Sequence, residues 1–225
     1  MNRLAAPVSR LTKKQIVYLN QHHCRHGHRY LDHYNCYLEE NPEGIKTGFF
    51  DIETTGLTAD WGIMICYCIK EAHKNKILQR AITKDEIQSE KILDRKVVKQ
   101  CIEDLQKFDK IITHYGTRFD IPFVRSRALY HNLPFPLYGE IVHKDTYYMC
   151  RNKLQISKNR LENACRHVLG KTRKTHLIPE YHLLSLQGDK KAIKFIIDHC
   201  RRDVRDLEDL YWKLEGFTLD SARSI

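Results

Sequence analysis

The chain has 225 residues, with 38 Lys and Arg against 28 Asp and Glu, a formal net charge of +10 and a pI of about 9.2. This length allows one sizeable core with a small appendage. There is no apolar run of transmembrane length and no signal-peptide core, and the eight cysteines do not make a disulfide framework, so an intracellular, non-secreted protein with reduced thiols is expected.

Taken in chain order, Met1 to Pro7 reads as a short loose tail, and Thr12 caps a helix running to about His23. Next comes Cys24-Arg25-His26-Gly27-His28-Arg29-Tyr30-Leu31-Asp32-His33-Tyr34-Asn35-Cys36, with two cysteines and three histidines. Zn²⁺ takes four N or S ligands in structural sites. Cys24, His26 or His28, His33 and Cys36 make a plausible set, with His28 the choice adopted here. The same segment also reads as a basic His-rich loop with two unrelated cysteines, or as histidines that contact phosphate.

The segments 48–53, 62–70 and 76–83 read as consecutive strands. A helix is expected over 94–108, where Val97, Val98, Cys101, Ile102 and Leu105 recur at helical spacing. A buried strand over 110–114 follows, then a helix over 118–131 that tolerates Pro122 in its first turn. A loop covers 133–138, and Ile141 and Val142 form a short last strand. Helices are expected over 147–152, 160–169 and 190–214. The organisation is residues 1–46 as an appendage, 47–216 as an α/β domain with a mixed sheet flanked by helices, and 217–225 as a tail.

Within that frame, four carboxylates stand out. Asp51 and Glu53 lie two apart in Phe49-Phe50-Asp51-Ile52-Glu53-Thr54-Thr55-Gly56-Leu57, so a strand projects both from one face. Two acids on one face repel each other unless a cation lies between them, and hard divalent metals favour such oxygen ligands. Asp120 opens a helix after Tyr115-Gly116. His199 and Asp203 are four apart on a long helix and share a face. Read singly, each has a plainer role: a solvated strand edge, an acid favoured by a helix N-terminus, or a partner for a nearby arginine.

Together the segments resemble the DEDD superfamily of 3′→5′ exonucleases, which have a ribonuclease H-like fold. The resemblance is nearest to the branch related to the proofreading domain of family B DNA polymerases. Asp51 and Glu53 match the first motif as Asp-Ile-Glu-Thr, Asp120 the second, and Asp203 the third, over residues 48–213. There are departures. Tyr115 stands where many relatives carry Asn, and His199 stands where the DEDDy subgroup has Tyr. Asp198 occupies the place of the DEDDh histidine. The chain therefore has DEDDy-like spacing with a DEDDh-like residue.

The resemblance implies that Asp51, Glu53, Asp120 and Asp203 hold two Mg²⁺ or Mn²⁺ ions, with His199 as general base. Phosphodiester hydrolysis needs an activated water and a stabilised leaving oxygen, and two ions roughly 3.5–4 Å apart serve both ends. An imidazole with an ordinary pKa near 6.5 suits the base. His199 also reads as a helix-surface histidine, and Asp145 is at most a supporting group near the site. In the resembling family the region of Thr54, Thr55 and Leu57 touches the terminal nucleotide. Lys171, Arg173 and Lys174 lie in a basic turn that can contact phosphates or face solvent. Tyr115, Phe119 and Tyr147 can stack on bases or pack in the core.

A basic surface around an acidic pocket suits a polyanion. The expected activity is 3′→5′ exonucleolytic cleavage, with single-stranded DNA favoured as partner, RNA possible and no membrane. Alternatives are an RNA-directed exonuclease or an endonuclease on the same site. Others are a nucleic-acid-binding module with weak catalysis and a zinc-bearing adaptor. Four convergent acids argue against the binding module.

Overall fold

The computed structural model describes residues 11–41, 44–89, 93–176, 178–217 and 223–224. The expected N-terminal tail lies outside the described residues, as does most of 217–225. The sheet has six strands in the order β3-β2-β1-β4-β5-β6. They are β1 (Thr47–Thr54), β2 (Met64–Glu71), β3 (Ile77–Ala81), β4 (Lys110–Thr113), β5 (Val142–Asp145) and β6 (Arg223–Ser224). β1 pairs antiparallel with β2 and parallel with β4; β4 and β5 are parallel, and β6 runs antiparallel to β5.

The helices are α1 (Lys13–Gln21), α2 (Tyr34–Glu40), α3 (Lys84–Ile87), α4 (Arg95–Leu105) and α5 (Asp120–Tyr130). After them come α6 (Thr146–Lys153), α7 (Leu161–Leu169), α8 (Pro179–Leu186) and α9 (Lys190–Leu214). Local chemistry explains several of their ends. Thr12 and Gln15 close a capping box on α1, and Thr83 and Glu86 do the same on α3. Gly170, in the left-handed region at φ 70°, ends α7. Asp189 caps α9 by accepting the Ala192 N–H at 2.8 Å. Along α9, Ile196, Cys200, Val204, Leu207, Tyr211 and Leu214 recur every three or four residues and are buried.

β2 is buried along its whole length. The core joins it to Phe49, Phe50, Val98, Leu105, Ile111, Ile112 and the inner face of α9. Burying a side chain such as Phe49 contributes about 1.5–3 kcal/mol. The Phe49 ring meets Tyr211 edge-on at 5.7 Å, so the odd-numbered face of β1 looks onto α9. A second, small cluster of Leu11, Leu19, Cys24, Tyr30 and Tyr34 lies in the appendage. That segment meets the domain where the Lys13 N–H donates to the Gly139 carbonyl at 2.9 Å. All eight cysteines are free thiols.

Three helices and one strand go beyond the sequence-based expectation. α2 and α8 are short, and α3 is a single turn held by its capping box. β6 is two residues long, set in what was expected to be a tail. Such short elements carry too few turns for a periodic signal.

Candidate functional site: a carboxylate cluster at the end of the central strands

β4 pairs with β1 only as far as Phe49. Beyond that point one edge of β1 is released at the C-terminal end of the parallel strands, where open α/β sheets form their crevices. The freed Ile52 N–H donates to Asp120 Oδ1 at 3.1 Å. Asp120 is the first residue of α5, so this bond ties the α5 terminus to the middle of β1. Asp51 and Glu53 share the face that looks onto α9, and the Cys200 thiol donates to the Asp51 carbonyl at 3.4 Å. Asp203 and His199, both buried on α9, close the other side. His199 Nε2 lies 3.6 Å from Asp203 Oδ2 and 3.7 Å from Glu53 Oε1.

The electrostatics follow from that packing. Burial, then the Asp203 charge, pushes Asp51 up to about 7. Burial, then Asp51 and Asp203, holds Glu53 well above the usual carboxylate range. Burial, then Asp51, does the same to Asp120. Asp51 Oδ2 and Asp203 Oδ1 are buried with no hydrogen-bond partner. Buried polar atoms are rarely left so. Acids that raise one another's pKa, with orphaned oxygens, are a donor set that fits hard divalent cations.

A cation of the chain's own already stands among them. Lys174 Nζ donates to Asp203 Oδ2 at 2.8 Å. Burial works against its charge, but Asp203, followed by Asp51 and Glu53, outweighs burial and raises its pKa. The ammonium lies where added positive charge is most needed. A competing unit charge about 4 Å away is worth about 1 kcal/mol even at the dielectric of water. Lys174→Met is therefore expected to tighten Mn²⁺ binding by at least about fivefold in calorimetric titration. Weaker binding in this variant would show that Lys174 assists the metal rather than competing with it.

The other basic residues of the 170–176 turn divide. Arg173 Nη1 bonds Asp206 and Asp209, each at 2.7 Å, and its backbone N–H and the Thr172 hydroxyl also reach Asp206. Asp206 is buried, so Arg173 clamps the turn onto α9. Lys171 is exposed. Of the three cations expected to meet phosphate, Arg173 and Lys174 are engaged by acids of α9, although Arg173 stays partly open to solvent, and Lys171 is exposed.

The turn also supplies residues that sequence reasoning missed. The Thr175 hydroxyl pairs with His199 Nδ1 at 2.9 Å and accepts from Arg202 Nη1 at 3.1 Å. It fixes the imidazole so that Nε2 faces Glu53 and Asp203. Burial lowers the His199 pKa, which favours the neutral ring. Asp145 accepts the Tyr115 N–H at 2.8 Å, the Thr117 N–H at 2.9 Å and the Tyr147 N–H at 3.0 Å. It shapes the turn that leads into Asp120. Tyr115 takes φ 69° there, and a Cβ on Gly116 would come within 2.4 Å of the Thr113 hydroxyl. Only glycine fits so close an approach.

The expected substrate contacts differ in exposure and in what they already bond. Tyr115 is 44% exposed and packs edge-on against Tyr147 at 4.7 Å. Phe119 is half-buried and packs on the core. Thr54 donates to the Gly56 carbonyl at 2.7 Å, and Thr55 accepts the Ile63 N–H at 3.0 Å, so both hydroxyls build the loop from β1 to β2. Leu57 on that loop is 85% exposed, and Trp61, not singled out from sequence, is 90% exposed. An indole left in water beside a polar loop was the signal available for it.

In the appendage, Cys24, His26, His33 and Cys36 bring their donor atoms within 4.8 Å of one another. Among the described residues no acid group is as tightly gathered. The fourth corner is His26, not His28. Gly27, at φ 79°, reverses the chain, with its N–H bonded to the Cys24 carbonyl at 2.8 Å. The tip residue His26 folds back towards the thiols, while His28 stacks on the His33 ring at 4.1 Å.

A mixed sheet in this order, with acids on β1, α5 and α9 at the end of its central strands, defines a ribonuclease H-like α/β domain. The chain belongs to the RNase_H superfamily, whose family model matches residues 48–215. It has a nuclease fold. It is also similar to the solved structure of the family B DNA polymerase from the hyperthermophilic archaeon Pyrobaculum calidifontis, at 16% identity and a TM-score of 0.62. That match covers 77% of this chain and 25% of the polymerase, so it shows a shared fold over a quarter of that protein's length. No curated protein matches the chain.

Proposed function

We propose that this protein is a metal-dependent nuclease that removes nucleotides 3′→5′ from single-stranded nucleic acid, DNA in preference to RNA. The observation that carries the proposal is the cluster of Asp51, Glu53, Asp120 and Asp203. Burial and neighbouring carboxylates raise the pKa of Asp51, Glu53 and Asp120, and two buried oxygens of the cluster lack partners. Bound Mg²⁺ or Mn²⁺ would supply an activated water and charge neutralisation at the leaving oxygen. The four carboxylates would hold those ions. His199, oriented by Thr175 and kept neutral by burial, would take the proton from the attacking water at Nε2.

Exposed apolar and aromatic side chains suit an unpaired strand end. Leu57 and Trp61, on the loop that follows β1, and Tyr115, on the turn that leads into Asp120, present apolar faces to solvent, and base stacking on such faces tolerates any sequence. A cleft of about 510 Å³ runs along α9 between Gln79 and Asp198, Arg201, Arg202 and Arg205. Arg202 joins it to the site through Thr175. Cations along such a cleft suit a phosphate backbone.

Two measurements test this reading. With one oligonucleotide labelled at the 5′ end and another at the 3′ end, a 3′→5′ exonuclease gives a ladder from the first and mononucleotide from the second. Large internal fragments from both would indicate an endonuclease, and faster loss of RNA than DNA would reverse the sugar preference. Secondly, Lys171→Ala with Arg205→Ala is expected to flatten the dependence of log affinity on log salt by up to about two phosphate contacts. Turnover at saturating substrate should change far less, since neither residue belongs to the carboxylate cluster. Parallel slopes for variant and wild type would place the strand elsewhere on the basic surface.

A further inference from the structure

We propose that Cys24, His26, His33 and Cys36 form a tetrahedral zinc site that holds the N-terminal appendage together. Cys24 and His26 lie on a hairpin closed by the His23–Arg29 bridge and turned at Gly27. His33 and Cys36 lie three residues apart at the start of α2, so they share its first turn. The two pairs face each other across a short gap, and each residue offers one soft or borderline donor. Both histidines approach through Nδ1.

The distances fit one ion. With Zn–S about 2.3 Å and Zn–N about 2.0–2.1 Å, a tetrahedron has S-to-N edges of roughly 3.6 Å. His26 Nδ1 lies 3.5 Å from Cys36 Sγ and 3.9 Å from Cys24 Sγ, and His33 Nδ1 lies 3.8 Å from Cys36 Sγ. The donor set of two sulfurs and two imidazoles selects zinc over the hard cations that suit the carboxylates. The two sites share no residue.

The appendage also needs such a tie. Its own core is five buried residues, one of them Cys24. A cluster that small does not hold a fold in place unaided. A zinc ion joining the hairpin to α2 would fix the loop that leads from α1 towards β1. Binding would release the two thiol protons to solvent and leave a neutral site, because two thiolates balance the ion's charge.

The test uses the full chain, purified under reducing conditions from zinc-supplemented medium. Elemental analysis should find one zinc per chain, retained in Asp51→Ala/Asp203→Ala and reduced at least about tenfold in Cys24→Ser/Cys36→Ser. Since the cysteine variant can misfold, His26→Cys serves as a second probe. Loaded with Co²⁺, it should stay tetrahedral and gain thiolate-to-metal absorption over the wild type, whereas His28→Ala should match the wild type. Zinc lost from the acid variant but kept in the cysteine variant would overturn the proposal. So would wild-type protein that holds no zinc and shows no thiolate absorption on Co²⁺ titration. An unaltered Co²⁺ spectrum in His26→Cys would remove His26 from the site.

Discussion

Replacing Asp51, Glu53, Asp120 or Asp203 singly with the matching amide is expected to lower nuclease turnover by at least about 10³-fold. With Asp51, Glu53 or Asp120 replaced, the metal-free protein should at the same time become more stable. Burial and mutual repulsion raise the pKa of Asp51, Glu53 and Asp120, so each of these three costs free energy when it ionises. The sign follows from linkage. A carboxyl whose pKa is raised on folding contributes stability at pH below its unfolded value, near 4, and loses it as pH rises through the folded value. For Asp51 that window runs from 3.8 to about 7. The metal-free wild type should therefore melt at progressively lower temperature between about pH 4 and pH 7. Asp51→Asn should flatten this decline, and Mg²⁺ should oppose it by competing with the protons. Thermal melts at several pH values, with and without the ion, measure all three. A melting temperature that rises steadily with pH in the metal-free protein would contradict the clustering of the acids.

His199→Ala is expected to slow turnover by about 10²–10⁴-fold with divalent-metal affinity largely kept. Its Nε2 lies between Glu53 and Asp203 and its Nδ1 is held by Thr175, so the ring is aimed at the centre of the cluster. Removing it takes away a proton acceptor and leaves the four carboxylates in place. The spacing resembles that of the DEDDy exonucleases, in which Tyr stands at this position, so His199→Tyr should recover part of the lost rate. Thr175→Val should cost less than His199→Ala, since it frees the ring without deleting it. Turnover that is unchanged in His199→Ala would reduce the residue to a packing role on α9. Equal losses in turnover and in metal affinity would instead make it a ligand.

Much of this site could be read from the chain alone, for physical reasons. The period of two in β1 places Asp51 and Glu53 on one face, and the period of 3.6 in α9 puts His199 beside Asp203. Both are local patterns, as are the capping box at Thr12 and the long apolar stripe of α9. Tertiary pairing was not legible. Lys174 and Arg173 look alike in a basic turn, and only the position of α9 shows that acids take up both. Asp145 organises the turn before Asp120 through backbone N–H groups 28 and 30 residues away in sequence. The choice between His26 and His28 depends on the direction in which the hairpin turns at Gly27, and spacing alone does not fix it.

The central claim is that the carboxylate cluster hydrolyses phosphodiester bonds with the help of divalent ions. It is tested most directly by one cleavage assay on a 5′-labelled single-stranded oligonucleotide. Wild type and Asp51→Asn/Asp203→Asn are incubated side by side with Mg²⁺, with Mn²⁺ and with a chelator. The expected result is a 3′-shortening ladder from the wild type with either ion, and intact substrate in every other lane. Cleavage that persists in the chelator, or in the double variant with Mg²⁺, would contradict the account.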